Sequence, residues 1–157
     1  MSETKQQLVD QILKTLEKDR EALYRAAAET HSSSTDAESK QEGKYDTRGL
    51  EASYLAEAQA EQLALLNEQI TKLGQLQIGD MEDQPVQAGA LVLFSTDEEE
   101  YAYFILPAGG GQSVQYHGID FTVITPSSPI ASELLGLEVG AFADVPKIGN
   151  GFISEIW

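Results

Sequence analysis

The chain has 157 residues, a formal net charge of −16 and no cysteine, which permits one domain or a small domain with an appended helical element and excludes disulfide and thiol chemistry. The charge argues against non-specific affinity for a phosphate backbone, because such binding rests on lysine and arginine displacing counterions; a basic protein surface is the more natural partner. Met1 is followed by SETKQQ, with neither the basic flank nor the apolar run of a signal peptide, and no run reaches membrane-spanning length, so the expectation is a soluble, cytoplasmic protein without a membrane partner.

The first segment reads as helix. Val9, Leu13, Leu16, Leu23 and Ala27 follow four-three spacing when Arg20 takes the missing position, and Leu8 and Ile12 widen the stripe. A second segment repeats the pattern through Ala52, Ala56, Gln59, Leu63, Leu66, Ile70 and Leu73. Two such stripes joined by a polar connection predict an antiparallel helical hairpin, with a parallel dimer of helices as the alternative that satisfies the same spacing. Along the stripes, Leu13, Leu16, Leu63, Leu66, Ile70 and Leu73 lie away from the connection, while Ala26, Ala27, Ala28, Ala52 and Ala56 cluster beside it. The hairpin should therefore be slim at its free end. A helix from residue 8 to 30 would measure roughly 33 Å at the standard rise per residue.

The connection, SSSTDAESKQEGKYDTRG at residues 32–49, contains almost nothing that could enter a core. Thr35 with Glu38, or Ser39 with Glu42, is a possible capping box. Gly43 can end a turn of helix, and Asp46 or Thr47 can cap the next one. Asp36, Glu38 and Glu42 then either cap a solvated turn or display carboxylates that contact a metal ion or a cationic surface. Carboxylates are hard oxygen ligands suited to magnesium, but two or three of them supply only part of its shell. No stable metal site is expected in the isolated protein.

After Leu73 the character changes. Residues 74–89, GQLQIGDMEDQPVQAG, read as a hinge, placing the boundary between a helical arm at 1–76 and a second domain at 77–157. ALVLF (90–94), YAYFIL (101–106), FTVIT (121–125), AFADV (141–145) and GFISEIW (151–157) have the length and the β-branched and aromatic content of strands, and TDEEE between the first two reads as a hairpin turn. In SSPIASELLGLEVG (127–140), Ser128 can cap a short helix, Pro129 suits its first position, Gly136 can terminate it, and Ile130, Leu134 and Leu135 would face the sheet. The fold class is α+β: a helical hairpin followed by a small antiparallel sheet packed on one helix. Lys147 is the single lysine or arginine after Lys72, so this half offers no cationic stripe and no independent sequence-specific nucleic-acid binding is expected.

Familiar chemical motifs are absent. AGGGQS (108–113) lacks the ending of a phosphate loop and reads as a turn. His31 and His117 fall in different domains, and no His-Cys or paired-His set suits zinc. Tyr101, Tyr103, Phe104, Tyr116, Phe121 and Trp157 are expected to supply the sheet interior rather than a binding stripe.

The ordered run ITPSSPIASELLGLEVGAFADVP resembles the signature of the bacterial Gre-type transcript-cleavage and elongation factors. The likeness is carried by Ser128, Pro129, Ile130, Ala131, Leu134, Leu135, Gly136 and Gly140, and GALVLFSTDEEEYAYFIL resembles the first hairpin of the same domain; together they cover residues 86–157. The resemblance implies an N-terminal antiparallel coiled coil and a C-terminal FKBP-like domain that docks near the rim of the RNA polymerase secondary channel. It also implies that tip carboxylates help hold a catalytic Mg2+ supplied within the polymerase active site, so that backtracked RNA is hydrolysed. On this basis the factor alone is no enzyme and binds no cofactor stably; the two compatible stripes separately predict a monomer with an intrachain arm. The family's tip has glycine, aspartate, two variable residues, glutamate and asparagine in succession, followed shortly by a tyrosine. Here Asp36 takes the aspartate place, but Ser39 and Lys40 stand where glutamate and asparagine are expected, and Tyr45 comes later. Two readings follow: a polymerase-binding regulator of initiation or elongation, with or without cleavage, or an interaction module for another partner, including a coiled-coil dimer. A free-standing prolyl isomerase would rest on fold analogy alone.

Overall fold

The structure is a computed structural model that describes the backbone of residues 4–40 and 48–157 and the side chains of residues 4–29 and 55–157. In chain order it contains α1 (Lys5–Lys40), α2 (Arg48–Gln75), β1 (Leu91–Thr96), β2 (Glu100–Ile105), β3 (Ser113–Tyr116), β4 (Ile119–Ile124), α3 (Pro129–Leu134), β5 (Phe142–Val145) and β6 (Gly149–Ile156). Contacts divide it into two compact units, one of Met1–Lys14 with Thr71–Trp157 and one of Thr15–Ile70.

The helical unit follows the seven-residue spacing of the sequence. On α2, Ala56, Gln59, Leu63, Leu66 and Ile70 are half-buried while most intervening positions are exposed. On α1, Leu16 is buried and Arg20, Leu23, Ala26 and Ala27 are half-buried. The helices run antiparallel: Arg20 donates to Asn67 Oδ1 at 3.3 Å, and Tyr24, Ala27 and Ala28 of α1 line one groove with Leu63, Ala64 and Ala60 of α2. The position of Arg20 in the apolar stripe is thus occupied by a side chain that hydrogen-bonds across the seam.

Helix α1 continues through Lys40 rather than stopping near residue 30, which overturns the expectation that a cap at Thr35 or Ser39 starts a new element. The physical reason is compositional: no glycine or proline occurs between Lys5 and Gly43, so nothing forces the backbone out of helix through SSSTDAESK. The other proposed caps, Gly43, Asp46 and Thr47, and the carboxylate Glu42 lie outside the described residues.

The second unit is built on a six-stranded sheet of order β3-β4-β2-β1-β6-β5. It is mixed rather than wholly antiparallel: β2 and β4 pair in parallel, Tyr103 opposite Thr122, because β3 folds back on β4 as a hairpin and brings β4 against β2. Strand β3, SVQY, was not among the expected strands; a four-residue strand with one buried side chain leaves almost no periodic signal. One sheet face presents Val92, Phe94, Tyr103, Ile105, Ile124 and Ile153 to Ala131 and Leu134 of α3. Residues of the opposite parity, Leu91, Leu93, Phe104, Phe121 and Val123, are buried as well. In this unit the start of α1 and the end of α2 remain to cover them, through Leu8, Val9, Ile12 and Leu73, each at most 2% exposed.

Lys5 pins that cover in place. Its ammonium is only partly withdrawn from solvent and donates to the carbonyl oxygens of Gly89 at 2.8 Å and Trp157 at 3.0 Å. Burial pushes the amine down to about 8, against the opposing pull of Asp80. Residues 74–89, expected as the link, are built into the same unit: Val86 enters the core, donates to Leu137 O at 2.8 Å and accepts from Gly136 N at 2.9 Å.

Candidate functional site

The sequence signature comes together as one corner of the sheet unit. Ser128 is extended, and its Oγ accepts from Ala131 N at 3.2 Å, satisfying one of the free donors of the first turn. Pro129 occupies the first helical position, where its missing N–H leaves no bond unmade. Ala131 and Leu134 are fully buried, while Ile130 and Leu135 pack on the cluster from its margin. Gly136 has φ +84, a left-handed conformation that side chains resist, and its amide reaches Val86 O. Gly140 N donates to Ile153 O at 2.7 Å, turning the chain into β5. Each signature residue therefore has a structural task in placing α3 against the sheet, and the corner offers no nucleophile paired with a base.

The acidic candidates are placed differently. Asp36 and Glu38 fall within α1, on a helix rather than in a loop, and their side chains lie outside the described residues, as does the whole of Glu42. Among the described residues no three His, Cys, Asp or Glu side chains are grouped to hold a metal ion. Among the described residues, too, no helix is long and apolar enough to cross a membrane.

Two aromatic arrangements go beyond the sequence reading, which placed Tyr116, Phe121 and Trp157 in the sheet interior without grouping them and did not single out Phe142 or Phe152. Tyr116, Phe121 and Trp157 form a cluster of edge-to-face rings with centroids 5.9–6.3 Å apart, and His117, at φ +51, stacks on Trp157. Across the sheet, the rings of Phe142 and Phe152 meet at 5.9 Å on a surface that stays open to solvent. An alternating pattern in AFADV and GFISEIW could have flagged the second feature, because burying Ala143, Val145 and Ile153 turns both phenylalanines outward.

No protein-family model matches the chain, and no curated protein matches it. Solved structures similar to it include that of GreA factor homolog 1 (Gfh1) of Thermus thermophilus, 15% identical with a TM-score of 0.39 over 92% of this chain and 94% of that one. Thermus aquaticus Gfh1 is 21% identical, with a TM-score of 0.35 over 94% of this chain and 92% of that one. A further structure, of the transcription factor Gfh1, is 15% identical with a TM-score of 0.39, covering 92% of each chain.

Proposed function

We propose that this chain is a Gre-like regulator of transcription that binds RNA polymerase near the secondary channel. The observation that carries the reading is the ordered signature from Ser128 to Gly140, whose residues cap, start, bury and terminate α3 on a six-stranded sheet, in a chain that also supplies an antiparallel pair of long helices. In this reading the sheet unit docks and the helical pair enters the channel. Asp36, Glu38 and Glu42 then bring carboxylates toward the Mg2+ of the polymerase active site, where a metal ion activates water and stabilises developing phosphoryl charge. The chain contributes negative charge to that centre and is not itself an enzyme. It acts as a cytoplasmic monomer, takes no stably bound cofactor and reads no nucleic-acid sequence.

The altered spacing of the tip separates two modes of action. Ser39 and Lys40 stand where the resembling family has glutamate and asparagine, and metal-assisted chemistry is sensitive to displacements of about 1 Å. Occupying the channel without cleavage is the mode that this spacing favours. The alternative, an interaction module working as a coiled-coil dimer, is disfavoured by the pairing of Arg20 with Asn67 within one chain.

Binding and cleavage assays on backtracked RNA polymerase complexes test the reading. Wild type should bind, and Asp36→Asn should bind as well. Factor-dependent RNA cleavage that Asp36→Asn abolishes assigns a catalytic contribution to the tip; binding with no cleavage assigns occupation of the channel. A chain that does not associate with polymerase at all overturns the proposal.

A further inference from the structure

We propose that the sheet face carrying Phe142 and Phe152 is the surface through which the sheet unit grips its partner, and that the matching surface on RNA polymerase is an apolar side chain framed by lysine or arginine. The inference rests on the polymerase reading and adds to it the docking residues and their chemistry.

The two phenylalanines are a cross-strand pair, Phe142 of β5 opposite Phe152 of β6. Phe142 is 80% exposed and Phe152 39%, and Val139, three residues before Phe142, is 54% exposed. The segment holding Val139 is fixed alongside β6, because Gly140 N donates to Ile153 O and Ile153 N to Ala141 O. The unit does not lack core to receive such rings: the alternate residues Val145 and Ile153 are buried to 1% or less. Register alone turns the phenylalanines outward, and a shift of one residue would reverse the two sets. An aromatic pair held rigid on paired strands and left in water has the character of a binding anchor, since its ordering cost is already met by the sheet.

Charge decides what the anchor fits. The strand register continues the row from Phe152 to Ser95 of β1 and on to Glu100 of β2, and Ser95 Oγ donates to Glu100 Oε2 at 3.2 Å. Asp144 lies two residues along β5 from Phe142 and is exposed, as is Glu138 at the approach to the strand. The row thus runs from two rings to a carboxylate, with further carboxylates at its margin, and Lys147 in the β5–β6 turn is the nearest cation in sequence. A second copy of this chain would set those carboxylates against their equivalents across a two-fold axis, in a molecule of charge −16. A basic surface bearing an apolar side chain has the complementary pattern, with the charges guiding approach and the rings holding the bound state.

The test is titration of fluorescently labelled full-length chain with bacterial core RNA polymerase, comparing wild type, Phe142→Ser/Phe152→Ser, Phe142→Ser alone and Glu100→Gln/Asp144→Asn. The double serine variant should bind about tenfold or more weakly with its melting temperature unchanged, and the charge variant should bind with a shallower dependence on salt. If the double variant melts early, Phe142→Ser alone, at the more exposed ring, carries the comparison. Serine variants that are folded and bind as wild type overturn the docking face while leaving the polymerase reading intact. Wild type that does not bind polymerase in the same titration overturns that reading and this assignment with it. Self-association of wild type that the serine variants abolish makes a second copy the occupant and overturns the basic partner.

Discussion

The two units bury their apolar residues to different depths. In the sheet unit Phe94, Phe104, Phe121, Leu134 and Ile153 are fully withdrawn from solvent, and the central strands β1, β2 and β4 bury residues on both faces. In the helical unit the seam residues Leu23, Leu63, Leu66 and Ile70 are only half-buried, Tyr24 and Leu65 are more than half exposed, and the groove between the helices is floored by alanine. A pair of helices has only one seam, so leucines along it such as Leu23, Leu63 and Leu66 keep one side in water; strands that bury residues on both faces have two interiors. The sheet unit should hold a fixed shape under perturbation, while the helical unit, with little core to lose, can vary its surface at small expense in stability.

The sharpest way to break this contrast is at Gly151, where β6 crosses β1 beside a register shift. A Cβ there would run into the Ser95 carbonyl oxygen and the Phe94 ring. Gly151→Ala should cost about 3 kcal/mol or more, since neither backbone nor buried ring can yield, and denaturant unfolding followed by Trp157 fluorescence will report it.

A paired truncation measures the contrast itself. Leu134→Ala, at a fully buried site, should destabilise the sheet unit by about 3–5 kcal/mol. Leu66→Ala, on the half-buried seam, should lower the protection of arm amides in hydrogen exchange by only about 1–2 kcal/mol. Equal losses would show that the helical seam is as deeply packed as the sheet.

Smaller effects sharpen the picture. Ser128→Ala removes the cap of α3 and should cost about 1 kcal/mol in thermal unfolding. Lys5 gives a pH signature: its folded value of about 8 against an ordinary value of 10.5 means that the folded chain binds fewer protons between those limits. Its contribution is therefore constant and unfavourable below pH 8, and stability rises with pH above it. Between pH 8 and 9.5 the gain should be on the order of 1 kcal/mol, reduced because the amine still borders solvent, and Lys5→Met should abolish the slope. On the helical side, Gln59 holds a seam position with its Oε1 buried and without a hydrogen-bond partner. Gln59→Leu should raise the protection of arm amides by about 0.5–1 kcal/mol; a loss would mean that the amide, not the apolar contact, specifies the pairing.

Local chemistry made much of this legible in the sequence. Four-three spacing marked Ala56, Gln59, Leu63, Leu66 and Ile70 as a seam, and Ser128, Pro129 and Gly136 marked the start and end of α3, because capping and side-chain period depend on near neighbours alone. The same locality misled at residues 32–40, where polar composition suggested a loop although no residue there prevents a helix. Tertiary structure decided what depends on distant partners. It set the parallel pairing of β2 with β4, since alternation fixes a strand's faces but not its neighbour. It gave Lys5 its place beneath Gly89 and Trp157, which lie more than eighty residues away along the chain, and it turned Phe142 and Phe152 to solvent as an adjacent pair. The sequence supplies each residue's preference through its own bonds and size; which groups meet is settled only when the sheet closes and every strand must share one register.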